Sequence, residues 1–576
     1  DGQSTEHQIE WSGMLNLGYD FNQDHHLELN NIFLSDTKDR LRNRQFENTN
    51  TINEPDESRR KVDVLYEERE LISHQLKGRH NFPDWFNLGA DWYVSKSKTE
   101  RDAPGAFETT FRIDRVGGVS SSQLARDINT TYGFQFLEDD VENYGFNLSM
   151  PIYNDSWSVE LKAGADFVEK NRDAESIGIV LQTFSIPSQY LAGDDFSQIM
   201  SDNNLSQSDY NIRLDDATSN GDKYKAATLI DAYYFMADYF FENTWRITGG
   251  VRWEDFKQVS IGYQAHSNLF ENTLEEIQDV VINEDTFFPS LAVTYIMDEE
   301  MQFRLNVSET TIRPDLRDVS TSFFVDPLTE FLVRGSPSLQ SSELTNVDFR
   351  FEWYMPTGNN LSVALFYKDI ENPIEMVELA GVGGASPQLL TANAQSGKLS
   401  GIEVDFLTDF GFINKDWSSA FLSGNVTLSD SSVNLGINDS DNVDSLFETQ
   451  LKEALEADTV SNIVTNNKRR LVGHSEWVAN LQMGYDSDDG FHSTSVIYNV
   501  FGPRIIVPGT RGNEDAEEKS FHSLDLVYSY FPNFNSKVNF KVKNILGQEK
   551  QIEQEGLTLW GQETGTEFSL SYSYEF

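Results

Sequence analysis

The feature that most constrains this chain is an apolar–polar alternation that runs for about ten residues at a time. Ile9, Trp11, Leu15, Leu17, Tyr19 and Phe21 share one parity, and Glu10, Ser12, Asn16, Gly18 and Asp20 lie between them. Trp157, Val159, Leu161, Ala163, Ala165 and Phe167 interleave in the same way with Ser158, Glu160, Lys162, Gly164 and Asp166. Val347 to Trp353 and Val538 to Val542 repeat the pattern. Strict period two puts the apolar side chains on one face of a β-strand and the polar ones on the other. A soluble sandwich alternates too, but its strands run about 5–6 residues and its loops are short. Here the runs approach the roughly 9–11 residues that cross a bilayer at a tilt. Their polar faces are charged, as a water-filled lumen allows, and bulky aromatics gather near their ends.

Composition narrows the reading further. Of 576 residues, 38% are hydrophobic, the net charge is -49, and aromatics reach 12%. No stretch approaches the roughly 20 apolar residues of a transmembrane helix, so any membrane crossing is by strands. Cysteine is absent, which excludes a disulfide scaffold and a Cys-ligated metal.

The connections alternate as strictly as the residues. Short polar turns occur at Asn22 to Asp24, Asn81 to Asp84, Asn154 to Ser156, Glu242 to Thr244 and Asp298 to Glu300. Pro356 to Asn360, Phe412 to Asp416, Asp486 to Gly490 and Pro532 to Ser536 continue the series. Between them lie long hydrophilic stretches near 35–60, 98–140, 168–222, 257–284, 309–342, 370–397, 430–470, 503–518 and 547–563, read as loops. Short turns on one side and long loops on the other form the pattern of an outer-membrane barrel. The fold expected is therefore an all-β, transmembrane, antiparallel outer-membrane β-barrel occupying residues 1–576.

About nineteen strands are counted, nine turn-linked hairpins and a terminal strand from Thr566 to Phe576. An odd count makes the first and last strands run the same way, which forbids the usual antiparallel closure. An open edge in lipid leaves unpaired amides costing several kcal/mol each. The expectation is that strands precede Asp1, or that the count is off by one.

Specific words then carry a resemblance. Thr311-Ile312-Arg313-Pro314-Asp315-Leu316-Arg317-Asp318 is similar to the T-x-R-P-x-x-R-E/D signature of TonB-dependent receptor barrels. Gly335-Ser336-Pro337-Ser338-Leu339 with Asn346-Val347-Asp348 resembles that family's G-N-P-x-L and N-x-D run. Phe366 to Glu375, reading FYKDIENPIE, Gly397 to Glu403, Tyr498 to Ile505 and Lys543 to Gly547 resemble four further segments in the family's order. The resemblance is clear from about Asp231 onward. It implies a barrel of 22 strands with a plugged lumen, since outer-membrane transporters of that size are built so. On that template about 19 strands are present here, and the plug and roughly three strands lie upstream of Asp1.

The implied function is energy-coupled uptake of a scarce nutrient, such as an iron–siderophore complex, a cobalamin-like cofactor or an oligosaccharide. The implied partners are a TonB-type energy-transducing complex acting through the plug, outer-membrane lipid and lipopolysaccharide, the barrel-insertion machinery and a small nutrient ligand. A passive large porin or a barrel-scaffolded surface adhesin is the alternative.

No enzyme is expected: G-x-S-x-G, a Walker loop and H-E-x-x-H are all missing, and the nine His are scattered. No cofactor and no metal site are expected, and a charge of -49 repels polyanions, so no nucleic-acid partner is expected. Arg313, Pro314 and Arg317 read first as shaping a strand's exit into a loop, because Pro fixes φ and ends the ladder. Phe323, Phe324, Phe331 and Arg334 beyond them serve either to contact a ligand or to pack on other loops. In the acidic loop 430–460, Asp439-Ser440-Asp441 lacks the glycine and closing Glu of an EF-hand. Val443, Phe447, Leu451 and Ala454 read there as a short amphipathic helix. Phe568, Leu570, Tyr572, Tyr574 and Phe576 fall on one face of the terminal strand and resemble the assembly signal of outer-membrane barrels.

Overall fold

The computed structural model describes residues 2–46, 57–116, 119–126, 130–183, 185–265, 269, 281–326, 331–379, 388–436, 464–510 and 512–575. Its main element is one antiparallel sheet of 22 strands. Three are short flanking pieces, Val119–Leu124, Arg213–Asp216 and Lys468–Arg469. The other nineteen are the wall, each paired with its neighbours in chain order from Gly2–Asp20 to Glu567–Tyr574. The nineteen strands counted from alternation are therefore present. Among the described residues no pairing joins the first wall strand to the last.

Nine short connections close one end of the wall near the positions expected from sequence; the one expected at 81–84 falls at 83–87, and the one at 412–416 is a longer link holding the 3-10 segments Phe410–Phe412 and Lys415–Trp417. Glu242 and Asn243, with φ of 49° and 54°, make a two-residue turn between Phe241 and Thr244, the positive-φ geometry that suits the twist of a hairpin.

Pairing registers carry each face across the sheet. The face of Asp166 and Arg172 also receives Leu316, which packs on Ala174, Tyr224 and Ala226. Leu316 follows the strand Met301–Ile312, which two strands separate from Lys223–Phe241. A sheet brings such distant strands together only on its concave side, so this face lines the lumen. Tyr93 donates to Asp166 across the intervening strand, and Tyr234 donates to Asn147 at 2.8 Å across Gly164. A Cβ on Gly164 would stand 2.6 Å from the Tyr234 ring, so the crossing depends on glycine.

The opposite face is apolar and aromatic: Trp157 to Phe167, Tyr233 to Phe241, Trp245 to Trp253, and Phe287 to Tyr295 at every second residue. Large side chains stay exposed there, including Trp11, Leu15, Tyr19, Tyr233 and Phe235. Each run then meets a carboxylate, namely Glu169, Asp231, Asp255 and Asp285. Nine to eleven residues at about 3.4 Å each, tilted by about 40°, make an apolar band of roughly 25 Å. That is the height of a membrane barrel's lipid-facing zone. Trp157 and Leu161 thus lie on the outward face, and Glu160 and Lys162 on the lumen face.

One expectation is corrected. Of the stretches read as loops, the described residues of 35–60 and 98–140 are in large part strand, and 168–222 is strand as far as Gln182. The wall strands His25–Phe46, Glu57–Phe82, Leu88–Val116, Thr130–Tyr153 and Trp157–Gln182 run far past the apolar band. Beyond the band both faces meet water, so apolar alternation stops while the backbone ladder continues. Opposed charges hold it: Arg42 and Arg44 on Asp63 at 2.9 and 3.2 Å, Arg101 on Glu67, and Arg172 on Asp139 at 2.7 Å. The segment after Gln182 forms three short helices, and its Ile186, Leu191, Phe196, Ile199 and Tyr210 pack on Phe111, Leu124 and Val62 of this extension.

The second half of the wall is built differently. Its loops carry two four-stranded sheets. One comprises Phe323–Val325, Leu332–Arg334, Ile374–Leu379 and Gln388–Asn393, and the other Arg504–Val507, Ala516–Glu518, Lys550–Gln554 and Leu557–Gln562. The helix expected from Val443, Phe447, Leu451 and Ala454 lies outside the described residues, as does Asp439-Ser440-Asp441.

Candidate functional site

The candidate site is the group of motif residues beyond the wall strand Met301–Ile312, and it starts where that strand ends. Arg313 turns inward: its guanidinium meets Glu254 at 2.5 Å and lies 4.1 Å from the centre of the Phe256 ring. The Pro314 carbonyl accepts from buried Gln258 at 2.9 Å, and Pro314 has no N–H to continue the ladder. Asp315 reaches Arg172 at 3.4 Å, and Arg317 stacks 3.6 Å from the centre of the Phe324 ring. The chain then folds back so that Ser336 N–H donates to the Asp318 carbonyl at 2.6 Å. Gly335 permits this: a Cβ there would stand 2.4 Å from the Ser320 carbonyl oxygen and 2.6 Å from those of Arg317 and Asp318. Two of the motif words thus meet in space. Burial, then the nearby charge of Asp315, pushes the Asp318 carboxyl above its ordinary range.

The aromatic residues beyond them divide. Phe323 pairs with Arg334 across a hairpin, the guanidinium 5.5 Å from the ring centre, and both are half-buried. Phe324 and Phe331 pack into a cluster of Val333, Leu389, Val507, Ala516 and Ile552. That cluster joins the two small sheets, so one apolar core ties together loops from four separate connections.

A second feature was missed in the sequence. Arg469 and Glu375, with side chains 2% and 6% exposed, form an ion pair of 2.7 Å. Arg469 also donates to the carbonyls of Arg470 and Met376 at 2.9 and 3.1 Å. Burial pushes the Glu375 carboxyl up, and the Arg469 guanidinium pulls it back down. Next door, Arg470 binds Glu517 at 2.5 Å and the Pro503 carbonyl at 3.0 Å, and Arg504 binds Glu518 at 2.6 Å. The signal was present but unread: Glu375 closes the FYKDIENPIE word and Arg504 sits in the Tyr498 to Ile505 word. Their partners lie 94 and 14 residues away.

At the far end of the chain, Phe568, Leu570, Tyr572 and Tyr574 share the outward face and are 69%, 74%, 64% and 49% exposed. Ser569, Ser571 and Ser573 take the lumen face. Phe576 lies outside the described residues. Among the described residues no group of three His, Cys, Asp or Glu side chains is placed to hold a metal ion.

A wall of nineteen crossing strands, tight turns at one end and packed loops at the other can be compared with known proteins. Residues 7–545 match the family model described as TonB dependent receptor-like, beta-barrel. The chain belongs to the TonB-dependent receptor family. As a member of that family it is a transport receptor of the bacterial outer membrane. Solved receptors share the fold at low identity. The siderophore receptor PiuA of Acinetobacter baumannii aligns with a TM-score of 0.52 and 11% identity, over 98% of this chain and 81% of that one. The ferric-catecholate import receptor Fiu of E. coli K12 aligns at 0.55 and 11%, over 100% and 81%. FpvA of P. aeruginosa, bound to a pyoverdine and iron, aligns at 0.56 and 11%, over 100% and 71%. No curated protein sequence matches the chain.

Proposed function

We propose that this TonB-dependent receptor takes up an iron–siderophore complex in an energy-coupled step. The observation that carries the reading is the match of residues 7–545 to the receptor barrel. The choice of an iron chelate draws on the fold neighbours, which are receptors for siderophores and ferric catecholates. On this reading the ligand arrives at the mouth, where Phe323 and Arg334 present a half-buried ring and cation beside the packed loops. Aromatic faces and a guanidinium suit a flat, electron-rich chelate by stacking and cation–π attraction. The energy-transducing partner of the TonB type acts through a plug domain in the lumen. The outward run Phe568, Leu570, Tyr572 and Tyr574 serves the insertion machinery as the assembly signal, and lipopolysaccharide meets the wall just above the apolar band.

The test is uptake of radioactive iron presented as ferric siderophores of catecholate, hydroxamate and carboxylate type. It is measured in iron-starved cells with and without the gene. One chelate class should lose most of its uptake in the deletion strain, and the part that depends on the gene should be abolished by a proton uncoupler. Uptake that continues through this protein in uncoupled cells is the behaviour of a passive porin and overturns the proposal. Loss of growth on cobalamin or an oligosaccharide with iron uptake intact overturns the iron assignment alone.

A further inference from the structure

The outer face of the wall carries a concavity at the edge of the lipid-facing band. It lies where Asn360–Glu371 and Ser396–Asp409 leave the bilayer, paired in register at Tyr367 and Ser400, Asp369 and Lys398, and Glu371 and Ser396. Leu365 and Tyr367 are exposed on that face and belong to the band. Asp369 stands two residues beyond Tyr367, roughly 5 Å further from the bilayer for a tilted strand. There the wall and the returning chain enclose a cavity of about 550 Å³, lined by Gln340, Asp369, Glu371, Gln395, Ser396 and Lys398 beside Asn372 and Ile370.

Three chain segments build the cavity, and their frame is fixed. The Asn393 side chain joins two of them, accepting from the Gln340 N–H at 2.8 Å and donating to the carbonyls of Gln340 and Asn372 at 3.0 and 2.9 Å. Gln395 Oε1 accepts from the Asn434 amide at 2.7 Å, which leaves the NH2 of Gln395 as a donor. The lining side chains are much less engaged than the frame. Lys398 and Asp369 stand 3.8 Å apart, and among the described residues the side chains of Gln340, Glu371 and Ser396 make no hydrogen bond to protein.

Chemistry and height together select the ligand. Two carboxylates against one ammonium leave the lining net negative, which disfavours a phosphate. Carboxylates accept, the ammonium donates, and the amides and the Ser396 hydroxyl do both. The matching ligand offers hydroxyls side by side, each donor and acceptor at once, as a sugar ring does. Leu365 and Tyr367 meet acyl chains, so the cavity opens at the level of the outer-leaflet headgroups.

We propose that this cavity binds an uncharged sugar ring of lipopolysaccharide and fixes one glycolipid against the wall. The inference rests on the reading above that lipopolysaccharide meets the wall just above the apolar band, and deepens it from a general contact to a site.

The full-length receptor is purified from its own outer membrane in mild detergent, and the lipopolysaccharide retained per receptor is measured by mass spectrometry. Glu371→Ala/Lys398→Ala and, separately, Gln340→Ala test the cavity; all three residues are exposed, so the barrel should assemble normally. Asp255→Ala/Asp285→Ala, the control, removes two carboxylates at the same boundary on other strands. The site predicts a several-fold loss of bound lipopolysaccharide in the cavity variants and none in the control. Equal loss in the control, or no loss in the cavity variants, overturns the site and leaves the general contact standing. No lipopolysaccharide on the unsubstituted receptor overturns the site and the general contact together. Lipid-free core oligosaccharide that displaces lipopolysaccharide at equal concentration marks a glycan site open to the medium and overturns the lipid-linked assignment.

Discussion

The two halves of the wall reach the same membrane and then diverge. The first half climbs: Gly2–Asp20 has 19 residues, Glu57–Phe82 26 and Leu88–Val116 29. At about 3.4 Å per residue and a tilt near 40°, the longest rises roughly 75 Å, three times the apolar band. The second half stops early, with 10 residues in Trp477–Asp486 and 8 in Ser536–Lys543 and in Glu567–Tyr574. It spends its extra chain on loops that fold over the mouth. The tall half gains its stability from ladder hydrogen bonds and cross-strand charge pairs, and the short half from two small sheets with an apolar core of their own. Surface mutations should therefore be tolerated in the first and packing mutations felt in the second.

The largest expected effect is at the buried ion pair of the short half. Removing one partner, as in Arg469→Ala or Glu375→Ala, should destabilise the loop sheets by about 3–5 kcal/mol, because a buried charge is left alone. Amide exchange at 374–379 and 388–393 should accelerate while the wall strands stay protected. The double change Glu375→Leu/Arg469→Met should restore most of the protection; failure to do so would mean the pair does more than neutralise itself.

Next comes Gly335→Ala. Its Cβ collides with three backbone carbonyls, which have no flexible end to move aside, and the cost should be roughly 1–3 kcal/mol. Protease cleavage within 313–341 should rise, whereas Gly13→Ala in the tall half, where no atom lies within 4 Å of the new Cβ, should leave its strand intact. In the tall half the strongest single test is Arg172→Ala, which leaves the Asp139 carboxylate without its 2.7 Å partner. A loss of about 1.5–3 kcal/mol fits one charged hydrogen-bonded contact, and a larger loss would mean the tall wall is not a sum of local pairs.

The smallest effect is set by pH. His474 sits between Ser429 and Ser431, with ring nitrogens 2.9 and 2.8 Å from their hydroxyls. Burial first, then the charge of Arg470, lowers its pKa from the ordinary 6.5. The folded protein therefore binds fewer protons here than the unfolded chain. The stability of this corner is full above about pH 6.5 and declines as pH falls through the lowered folded value. Protection of 472–476 from exchange, taken relative to the intrinsic rate at each pH, should fall between pH 7.5 and 5.5, and His474→Gln should flatten that dependence. An unchanged slope in the variant would assign it to another group.

Legibility from sequence followed the solvent. Inside the bilayer one face of each strand meets lipid, so alternation is enforced, and the strand from Trp157 to Phe167 could be read directly. Past Glu169 both faces of that strand are wet, the alternation lapses, and residues 168–182 read as loop although they remain paired. The mouth was legible in pieces. Arg313, Pro314 and Gly335 stood out as words, yet nothing local shows that Gly335 nests against Arg317 to Ser320. The pairing of Glu375 with Arg469 spans 94 residues and leaves no periodic trace at all.

The measurement that tests the account most directly is the sidedness of the tall half. Residues 1–576 hold no cysteine, so Glu100→Cys, on the outward face above the apolar band, and Ser206→Cys, beyond Gln182, can be compared with Gly358→Cys and Asp488→Cys in the tight turns, each against the unsubstituted receptor. A membrane-impermeant maleimide added to intact cells should label 100 and 206 fully and leave 358 and 488 untouched until the outer membrane is permeabilised. Labelling of 358 or 488 in intact cells, or protection of 100, would contradict a wall that crosses the outer membrane once per strand and rises above it on one side.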